Sequence, residues 1–213
     1  MTKRVLHIST PESWRGGEQQ LAYLIQYGSA NFQQNVLCPK KAVIREKLKG
    51  QTLNFFDFRA KSLPKRIAQC IRVFKELQPQ IIHTHDSKAH TIALLALVLT
   101  GKKIPLVVAR RVDFPIGKNA LSTWKYEHPR VSKIVCVSVA IKKICAKELR
   151  RNQSKLTTIH SGVEAKERMD ADAKQKMRAS LGFDSSDFLV GCVAALAPHK
   201  NHEILLRAWK EFL

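Results

Sequence analysis

Two adjacent glycines, Gly16 and Gly17, follow the first apolar run of the chain and precede a predicted helix. The run RVLHI is typical of a β-strand, and the loop STPESWRGGEQQ leads from it into the helix. Glycine permits close approach of the backbone to a ligand, and the first amides of a helix lack internal partners and carry partial positive charge. The loop could therefore hold a phosphate or a sugar hydroxyl. A tight turn, with Glu18 placed favourably in the helix dipole, explains the same residues equally well.

The glycine spacing argues against two common nucleotide-binding loops. The sequence has neither the dinucleotide fingerprint G-x-G-x-x-G nor the Walker pattern G-x-x-x-x-G-K-[ST]. NAD-dependent chemistry and P-loop ATPase chemistry are therefore not predicted.

The segment HTHDSKAH places several histidines near the end of the fourth predicted strand. His83 and His85 are two residues apart, so their side chains share one face of a strand, while His90 lies in the next helix. Structural zinc needs four ligands and catalytic zinc usually three, and apart from Asp86 no carboxylate or cysteine is spaced to complete such a set. We therefore predict no metal, and we favour one hydrogen-bonded core histidine and one histidine in a cleft, where it could serve chemistry at an oxygen atom.

Arg110 ends the fifth predicted strand, PLVVAR, Arg111 follows it directly, and Asp113 comes two residues later. A guanidinium at the carboxyl end of a buried strand suits bidentate recognition of a phosphate or a carboxylate. A surface ion pair between Arg111 and Asp113 is an equally good interpretation of the same residues.

The elements that must position these residues alternate along the chain between short β-branched runs and stretches with helical spacing. Runs such as IIHTH and IVCVS are apolar on both faces, as parallel strands covered by helices should be. We predict an α/β fold with a doubly wound, Rossmann-like parallel sheet, in which ligands bind at the carboxyl ends of the strands. The predicted helices cover residues 17–28, 42–49, 63–77, 87–100 and 138–150.

The pattern changes after the segment TIHSGVE. Residues 1–163 form the predicted Rossmann-like domain, and residues 164–186 are a polar linker with a connecting helix. Residues 187–213 then supply one strand, FLVGCVAAL, and one helix, NHEILLRAWKEFL. Because a single strand and helix cannot bury enough apolar surface to form a domain, we expect this part to be the incomplete start of a second domain.

Charge indicates an anionic partner. The chain has 37 Lys and Arg against 17 Asp and Glu, and the stretch from Lys102 to Lys155 alone has 14 against three. The basic helix VAIKKICAKELRR lacks interleaved aromatics, which disfavours nucleic acid and favours an acidic membrane surface or a phosphorylated acceptor. Five unpaired cysteines, no signal peptide and no membrane-length apolar run predict a cytoplasmic protein, peripheral on the inner face of the membrane.

Six motifs occur in a fixed order: GGEQQ, HTHDSKAH, RRVDFP, IVCVSVAIK, TIHSGVE and VGCVAALAPHKNHEILLRAW. Together they resemble the retaining glycosyltransferases of family 4, which have the two-domain GT-B architecture, and within them the enzymes that build lipopolysaccharide and other cell-surface glycans. The resemblance covers the whole chain. It implies that residues 1–163 are the amino-terminal domain of a GT-B enzyme and that the donor-binding domain has only its first β-α unit here.

The resemblance also implies roles for particular residues. Gly16 and Gly17 would lie near the donor diphosphate, His85 would be the catalytic residue beside the transferred sugar, and Lys200 would neutralise the diphosphate. Where many members carry an arginine before that lysine, this chain has VAAL, so Lys200 would carry more of that task. The glutamate pair that grips the nucleotide sugar belongs to a later part of the family's second domain. We assign acceptor binding to Arg15, Arg111 and Asp113.

The predicted function is transfer of a sugar from a nucleotide-sugar donor to a membrane-linked or cell-surface glycan acceptor, without a metal or other cofactor. Helix amides and lysine can meet the charge that develops on the leaving diphosphate. We expect these 213 residues alone to be inactive, because the donor site is incomplete. The alternative is a non-catalytic basic module that binds anionic lipid or glycan, and nucleic acid is not an expected partner.

Overall fold

A computed structural model describes residues 2–116, 120–165 and 167–212 of the chain. The chain divides into two compact units, Met1–Val163 and Glu164–Leu213.

The first unit alternates strands and helices, as the sequence predicts. Its strands are β1 (Lys3–Ile8), β2 (Phe32–Pro39), β3 (Asn54–Phe58), β4 (Ile81–Thr84), β5 (Leu106–Arg110), β6 (Val131–Cys136) and β7 (Leu156–Thr158). Its helices are α1 (Gly16–Gln26), α2 (Ile44–Lys47), α3 (Leu63–Leu77), α4 (Ser87–Thr100), α5 (Ala120–Glu127) and α6 (Val139–Glu148), and a 3₁₀ turn covers Gln153–Lys155.

The seven strands form one parallel sheet in the order β3-β2-β1-β4-β5-β6-β7, which confirms the predicted α/β fold class. The chain moves outward from β1 in one direction to β3 and then returns to add β4 on the other side of β1. This reversal makes the carboxyl ends of β1 and β4 neighbours, and His7 of β1 pairs in register with His83 of β4. Such a switch point is where open α/β sheets bind ligands.

The main hydrophobic core lies between the sheet and helices α3, α4 and α6. Leu6, Ile82 and Leu106 supply fully buried strand side chains, and Phe74 and Leu94 meet them from the helices. Helix α4 is apolar on nearly all sides, as its sequence SKAHTIALLALVLT indicates. It ends at Gly101, whose positive φ of 67° is the left-handed backbone that glycine adopts most easily.

The second unit contains α7 (Ala171–Ser180), a 3₁₀ turn (Pro198–Lys200) and α8 (His202–Phe212). The prediction of a strand at FLVGCVAAL is wrong, because residues 188–196 are an exposed, irregular segment. A strand needs a hydrogen-bonded neighbour, and the described residues of this unit offer none. The prediction also missed α5, whose sequence ALSTWKYE has a mixed polar pattern with weak helical spacing. Among the described helices, none has the length and apolar character needed to cross a bilayer.

Candidate functional site

The carboxyl edge of the sheet brings Gly17 and Arg111 together. Gly17 lies in the first turn of α1, and Arg111 follows β5 directly. A Cβ atom added to Gly17 would lie 3.6 Å from Nη1 of Arg111, whereas one added to Gly16 would meet nothing within 4 Å. Neither glycine takes a left-handed backbone, so these residues are not required by a strained turn. At 3.6 Å such a Cβ would be in ordinary van der Waals contact, so the distance shows that the Arg111 guanidinium lies next to the first turn of α1.

The amino terminus of α1 is partly satisfied by its own acidic residue. The Arg15 amide donates to Oε2 of Glu18 at 3.1 Å, and Glu18 is buried. Burial raises the pKa of Glu18, the carboxylate of Asp86 raises it further, and the Arg111 guanidinium lowers it. The interpretation of Glu18 as a helix-terminus residue is therefore correct, and the amides of Gly16 and Gly17 are in the first turn, where they have no acceptor within the helix.

Arg111 binds His85 at two atoms. Its Nη1 donates to the backbone carbonyl of His85 at 3.2 Å, and its Nη2 lies 3.2 Å from the Nδ1 of the same residue. Arg111 is mostly buried, and burial lowers its pKa, while the carboxylates of Glu18 and Asp86 act in the opposite direction. Among the described residues Arg111 forms no salt bridge with Asp113, so the surface ion pair that the sequence left open does not occur.

The ring of His85 continues a chain of hydrogen bonds through the sheet. His85 Nε2 lies 3.0 Å from His7 Nδ1, and His7 Nε2 lies 2.7 Å from Oε1 of Gln34 on β2. A guanidinium can only donate, so Nδ1 of His85 accepts and, in the neutral ring, Nε2 carries the proton. The same reasoning gives His7 an accepting Nδ1 and a donating Nε2. In this series of hydrogen bonds each group therefore donates to the next one, from Arg111 through His85 and His7 to Gln34.

Burial keeps these imidazoles neutral. It lowers the pKa of His7 to about 4, against which the hydrogen bond to Gln34 acts in the opposite direction. Burial also lowers the pKa of His83 and of His85 well below the usual histidine value, and neighbouring histidines and Arg111 lower both further. Neutral rings at neutral pH agree with the tautomers that the hydrogen bonds require.

The histidine that faces a cavity is His83. With Arg111, Gln20, His160 and Ser161 it lines a space of about 210 Å³ beside β4, β5 and β6. Nε2 of His83 is buried and has no hydrogen-bond partner among the described residues. His85 is instead the hydrogen-bonded histidine, because both of its ring nitrogens are engaged. The predicted catalytic role of His85 stays a prediction, and on this geometry the residue would act by holding Arg111.

The sequence prediction missed His7. It belongs to the strand RVLHI, and nothing near it in the sequence suggests a polar cluster. The parallel register that sets His7 beside His83 could have revealed it, since alternate residues of both strands face the same side.

His7, His83 and His85 could together supply ligands to a metal, because one nitrogen from each lies within 4.8 Å of the others. An ion there would have to displace the hydrogen bonds that His7 and His85 already make.

Asp86 fixes the junction between this site and α4. As the N-cap of α4, its Oδ1 accepts from the amides of Lys88 and Ala89, both at 2.9 Å. The same carboxylate accepts from the amide and the hydroxyl of Thr10, at 2.7 and 2.8 Å. The loop after β1 and the start of α4 are therefore held by one side chain.

The remaining predicted site residues are exposed. The side chains of Arg15 and Asp113 are exposed on loops of the first unit, and Lys200 is exposed in the second unit. The structure thus brings together Gly17, His85 and Arg111, and the roles assigned to these and to the other site residues all stay predictions.

The sequence matches the family model described as Glycosyltransferase Family 4 over residues 14–167. A curated protein of Escherichia coli, UDP-Gal:alpha-D-GlcNAc-diphosphoundecaprenol alpha-1,3-galactosyltransferase, is 27% identical, over 80% of this chain and 47% of its own length. The chain therefore spans about half the length of this relative.

Solved structures show the same fold. The structure of HepE from Anabaena in complex with UDP superposes with a TM-score of 0.78 at 17% identity, over 98% of this chain and 57% of that one. The lipopolysaccharide outer core galactosyltransferase WaaB gives a TM-score of 0.57 at 15% identity, over 78% of this chain and 47% of that one. The GT-B likeness of the fold and the family match over most of the chain agree with the motifs in the sequence. The chain belongs to glycosyltransferase family 4.

Proposed function

We propose that the protein is a retaining glycosyltransferase that moves a sugar from a UDP-sugar to a lipid-linked glycan acceptor. The observation that carries this proposal is the Arg111 guanidinium beneath Gly17, at the switch point of the sheet. The galactosyltransferase relative is named for a UDP-Gal donor and a diphosphoundecaprenol-linked acceptor, and the HepE structure contains UDP. Both names support a nucleotide-sugar donor for this chain.

Sugar transfer from a nucleotide sugar requires positive charge at a fixed position beside the leaving diphosphate. When the bond between the sugar and the donor diphosphate breaks, negative charge develops on the leaving oxygen, and preorganised donors stabilise it. The first amides of α1 and Lys200 of the second unit are the groups we assign to that task. To them we add Arg111, which the sequence led us to assign to the acceptor, because its guanidinium lies next to Gly17. His85 and His7 hold Arg111 in place, so the enzyme avoids the cost of ordering a long side chain during the reaction.

The groups around Arg111 are compatible with a reaction in which the transferred sugar keeps its anomeric configuration. Near Arg111 the site offers imidazoles whose lowered pKa makes them weak bases, and the carboxylates of Glu18 and Asp86 are hydrogen-bonded at helix termini. In our mechanism the leaving phosphate oxygen therefore accepts the proton of the acceptor hydroxyl on the same face of the sugar. The protein then positions the reactants and stabilises charge, without a metal and without a side-chain nucleophile.

We infer the kind of acceptor and the location of the enzyme from the positive charge of the first unit. The excess of basic residues between Lys102 and Lys155 favours an anionic surface, so we place the enzyme at the inner face of the cytoplasmic membrane. Arg15 and Asp113 are exposed where they could contact the acceptor glycan. By themselves, the 213 residues should bind substrate and transfer little or no sugar, because they span about half of the galactosyltransferase relative.

The same basic segment favours one other function, a non-catalytic module that binds anionic lipid or glycan. Binding to acidic liposomes that disappears at high salt, with no sugar transfer under any condition, would support the module.

Incubation of the purified protein, expressed from its complete reading frame, with radiolabelled UDP-sugars and a diphosphate-linked lipid acceptor tests the enzyme. We expect label in the lipid extract and an α-linked product by NMR. Arg111→Gln should abolish most of this transfer, whereas Arg72→Gln, an exposed arginine of α3, should leave it unchanged. A β-linked product would contradict the retaining mechanism, and absence of transfer with every UDP-sugar would contradict the function.

A further inference from the structure

Two cavities of different character meet beside the amino-terminal half of α4. The larger, of about 590 Å³, is lined by Glu12, Lys61, Arg66 and Lys88, and we call it the basic chamber. The smaller, of about 280 Å³, is lined by Leu94, Leu95, Leu121 and Trp124, and we call it the apolar groove. Leu63 and Thr91 line both. The two cavities therefore adjoin at these two residues and offer a charged and an apolar surface side by side.

The basic chamber has three cations and one carboxylate in its wall. Arg66 is fixed there, because its Nε donates to the carbonyl of Ala60 at 2.8 Å and its guanidinium lies 5.3 Å from the centre of the Phe58 ring. Its two terminal nitrogens make no hydrogen bond to any residue that the structure describes. Lys61 and Lys88 are exposed beside it. An anion with several oxygens, such as a diphosphate, is the ligand that such a set of donors recognises.

A buried lysine joins the walls of the two cavities. Nζ of Lys125, on α5, donates to the carbonyl and the hydroxyl of Ser87 at 3.1 and 3.0 Å and to the hydroxyl of Thr91 at 3.2 Å. Its three protons are thus used to tie α5 to α4. The wall at the junction has its polar groups satisfied, and α5 is held at a fixed distance to form the far side of the apolar groove.

The apolar groove is open to solvent and continues along α4. Leu121 is 73% exposed and Trp124 44% exposed at its mouth. Leu95, Val98 and Leu99 follow one another on the same side of α4, and Leu99 is 69% exposed. Contiguous exposed apolar surface of this kind marks a binding site rather than a solvated helix face.

We propose that the basic chamber and the apolar groove together bind an isoprenoid diphosphate, the lipid carrier of the acceptor. The diphosphate would lie between Lys61, Arg66 and Lys88, and the isoprenoid chain would follow the groove along α4. Ser87, at the wall of the chamber, is two residues from His85, so the head of the lipid would lie at the same edge of the sheet as Arg111. The inference rests on the proposed function and gives its acceptor a binding site.

Binding of three soluble probes to the 213-residue chain tests the proposal: farnesyl diphosphate, inorganic diphosphate and farnesol. By calorimetry we expect farnesyl diphosphate to bind at least about 30-fold more tightly than inorganic diphosphate, because burial of the chain adds to the affinity. In the variant W14F/W209F, Trp124 is the one remaining tryptophan of the three, and its fluorescence should shift with farnesyl diphosphate and not with inorganic diphosphate. Equal affinity for the two diphosphates, or no shift, would overturn the assignment.

Matched variants separate the head from the tail. Arg66→Gln should weaken farnesyl diphosphate binding at least about fivefold, whereas Arg72→Gln on the same helix should not change it. Lys88→Gln, which alters an exposed side chain, gives the same test with no risk to folding. Leu121→Gln should weaken binding of farnesyl diphosphate and leave that of inorganic diphosphate unchanged, and Leu181→Gln in the second unit is its control.

The outcomes also separate this proposal from the proposed function. Sugar transfer by the whole protein with an acceptor KM that Arg66→Gln leaves unchanged would refute the site and keep the function. Tight farnesyl diphosphate binding with no transfer would refute the function and keep the site. Binding to acidic liposomes that is insensitive to Arg66→Gln and Leu121→Gln, with no binding of farnesyl diphosphate, would assign this face to a membrane surface instead.

Discussion

Arg111 holds His85 at both its backbone and its ring, with Nη1 3.2 Å from the carbonyl oxygen and Nη2 3.2 Å from Nδ1. A flexible arginine that follows a strand is thereby restricted to one position beneath α1. Because a guanidinium donates at every nitrogen, the contact also sets the tautomer of the imidazole. Arg111 and His85 should therefore behave as one unit when either is changed.

A glutamine at position 85 should preserve much of the function that an alanine would remove. His85→Gln retains one acceptor for Arg111 and one donor for His7, whereas His85→Ala leaves both neighbours without a partner. We expect His85→Ala to lower kcat for sugar transfer by at least about tenfold, and His85→Gln to recover most of that loss. Steady-state kinetics of the whole protein measure both.

Two results would contradict this account of His85. Equal loss in the two variants would show that the imidazole itself is needed in the reaction. Unchanged turnover of a normally folded His85→Ala protein would remove the residue from the mechanism.

The stability of the first unit should fall as the pH decreases below 7. The pKa of His7 is about 4 in the folded chain and near 6.5 when the chain is unfolded, so the unfolded state binds the proton first as the pH falls. A neutral buried histidine therefore contributes stability above the unfolded pKa, and this contribution decreases between the two values. For His7 alone, the free energy of unfolding should decrease by about 2 kcal/mol between pH 7 and pH 5.

Urea denaturation at both pH values measures this decrease, and His7→Gln should reduce the pH dependence. An identical pH dependence in the variant would mean that other groups control acid unfolding. Burial lowers the pKa of His83 and His85 as well, so part of the pH dependence should persist in His7→Gln.

Asp86 should matter more to stability than an ordinary helix cap. Removal of its carboxylate leaves four donors without their acceptor, two in α4 and two in Thr10. We expect Asp86→Ala to cost about 3 kcal/mol of unfolding free energy. Ser138→Ala is the matched control, because Ser138 caps α6 with a single hydrogen bond, to the amide of Ile141, and should cost about 1 kcal/mol. Similar losses from both substitutions would show that the contacts with Thr10 contribute nothing.

The two units should differ sharply in resistance to protease. Beyond Leu156, none of the described residues is buried, and apolar side chains such as Phe188 and Leu206 are largely exposed. Because cleavage needs a locally open chain, trypsin should cut the unit Glu164–Leu213 first and leave a resistant fragment close to residues 1–163. Mass spectrometry of the digest identifies the fragment. Initial cleavage within the sheet of the first unit would contradict the expectation.

The sequence predicted best those elements whose ends have their own chemical signals. Helices α3 and α4 begin and end at the predicted residues, since Pro64, Asp86 and Gly101 mark their termini locally. The irregular segment at residues 188–196 shows the opposite case. Its composition is that of a strand, but a strand forms only where a neighbour exists, and that depends on residues far away.

The residues of the candidate site also differ in whether the sequence could predict them. Gly17, His85 and Arg111 could be selected from the sequence because each follows a strand, where ligand-binding residues collect. The part played by His7 could not, because it depends on a register between strands more than 70 residues apart. Nor could the sequence distinguish the histidine that faces a cavity from the one that is hydrogen-bonded, since His83 and His85 share one face of a strand.

The last acceptor in the chain that begins at Arg111 is an amide. The uncharged Oε1 of Gln34 accepts the hydrogen bond that Nε2 of His7 donates, and the two imidazoles between Gln34 and Arg111 are neutral as well. This series of hydrogen bonds therefore fixes the position of the Arg111 guanidinium without placing a negative charge beside it. Positioning and neutralisation, which a salt bridge combines, are largely separated here. Among the described residues no carboxylate forms a salt bridge with Arg111, and Glu18 and Asp86 act on its charge only at longer range.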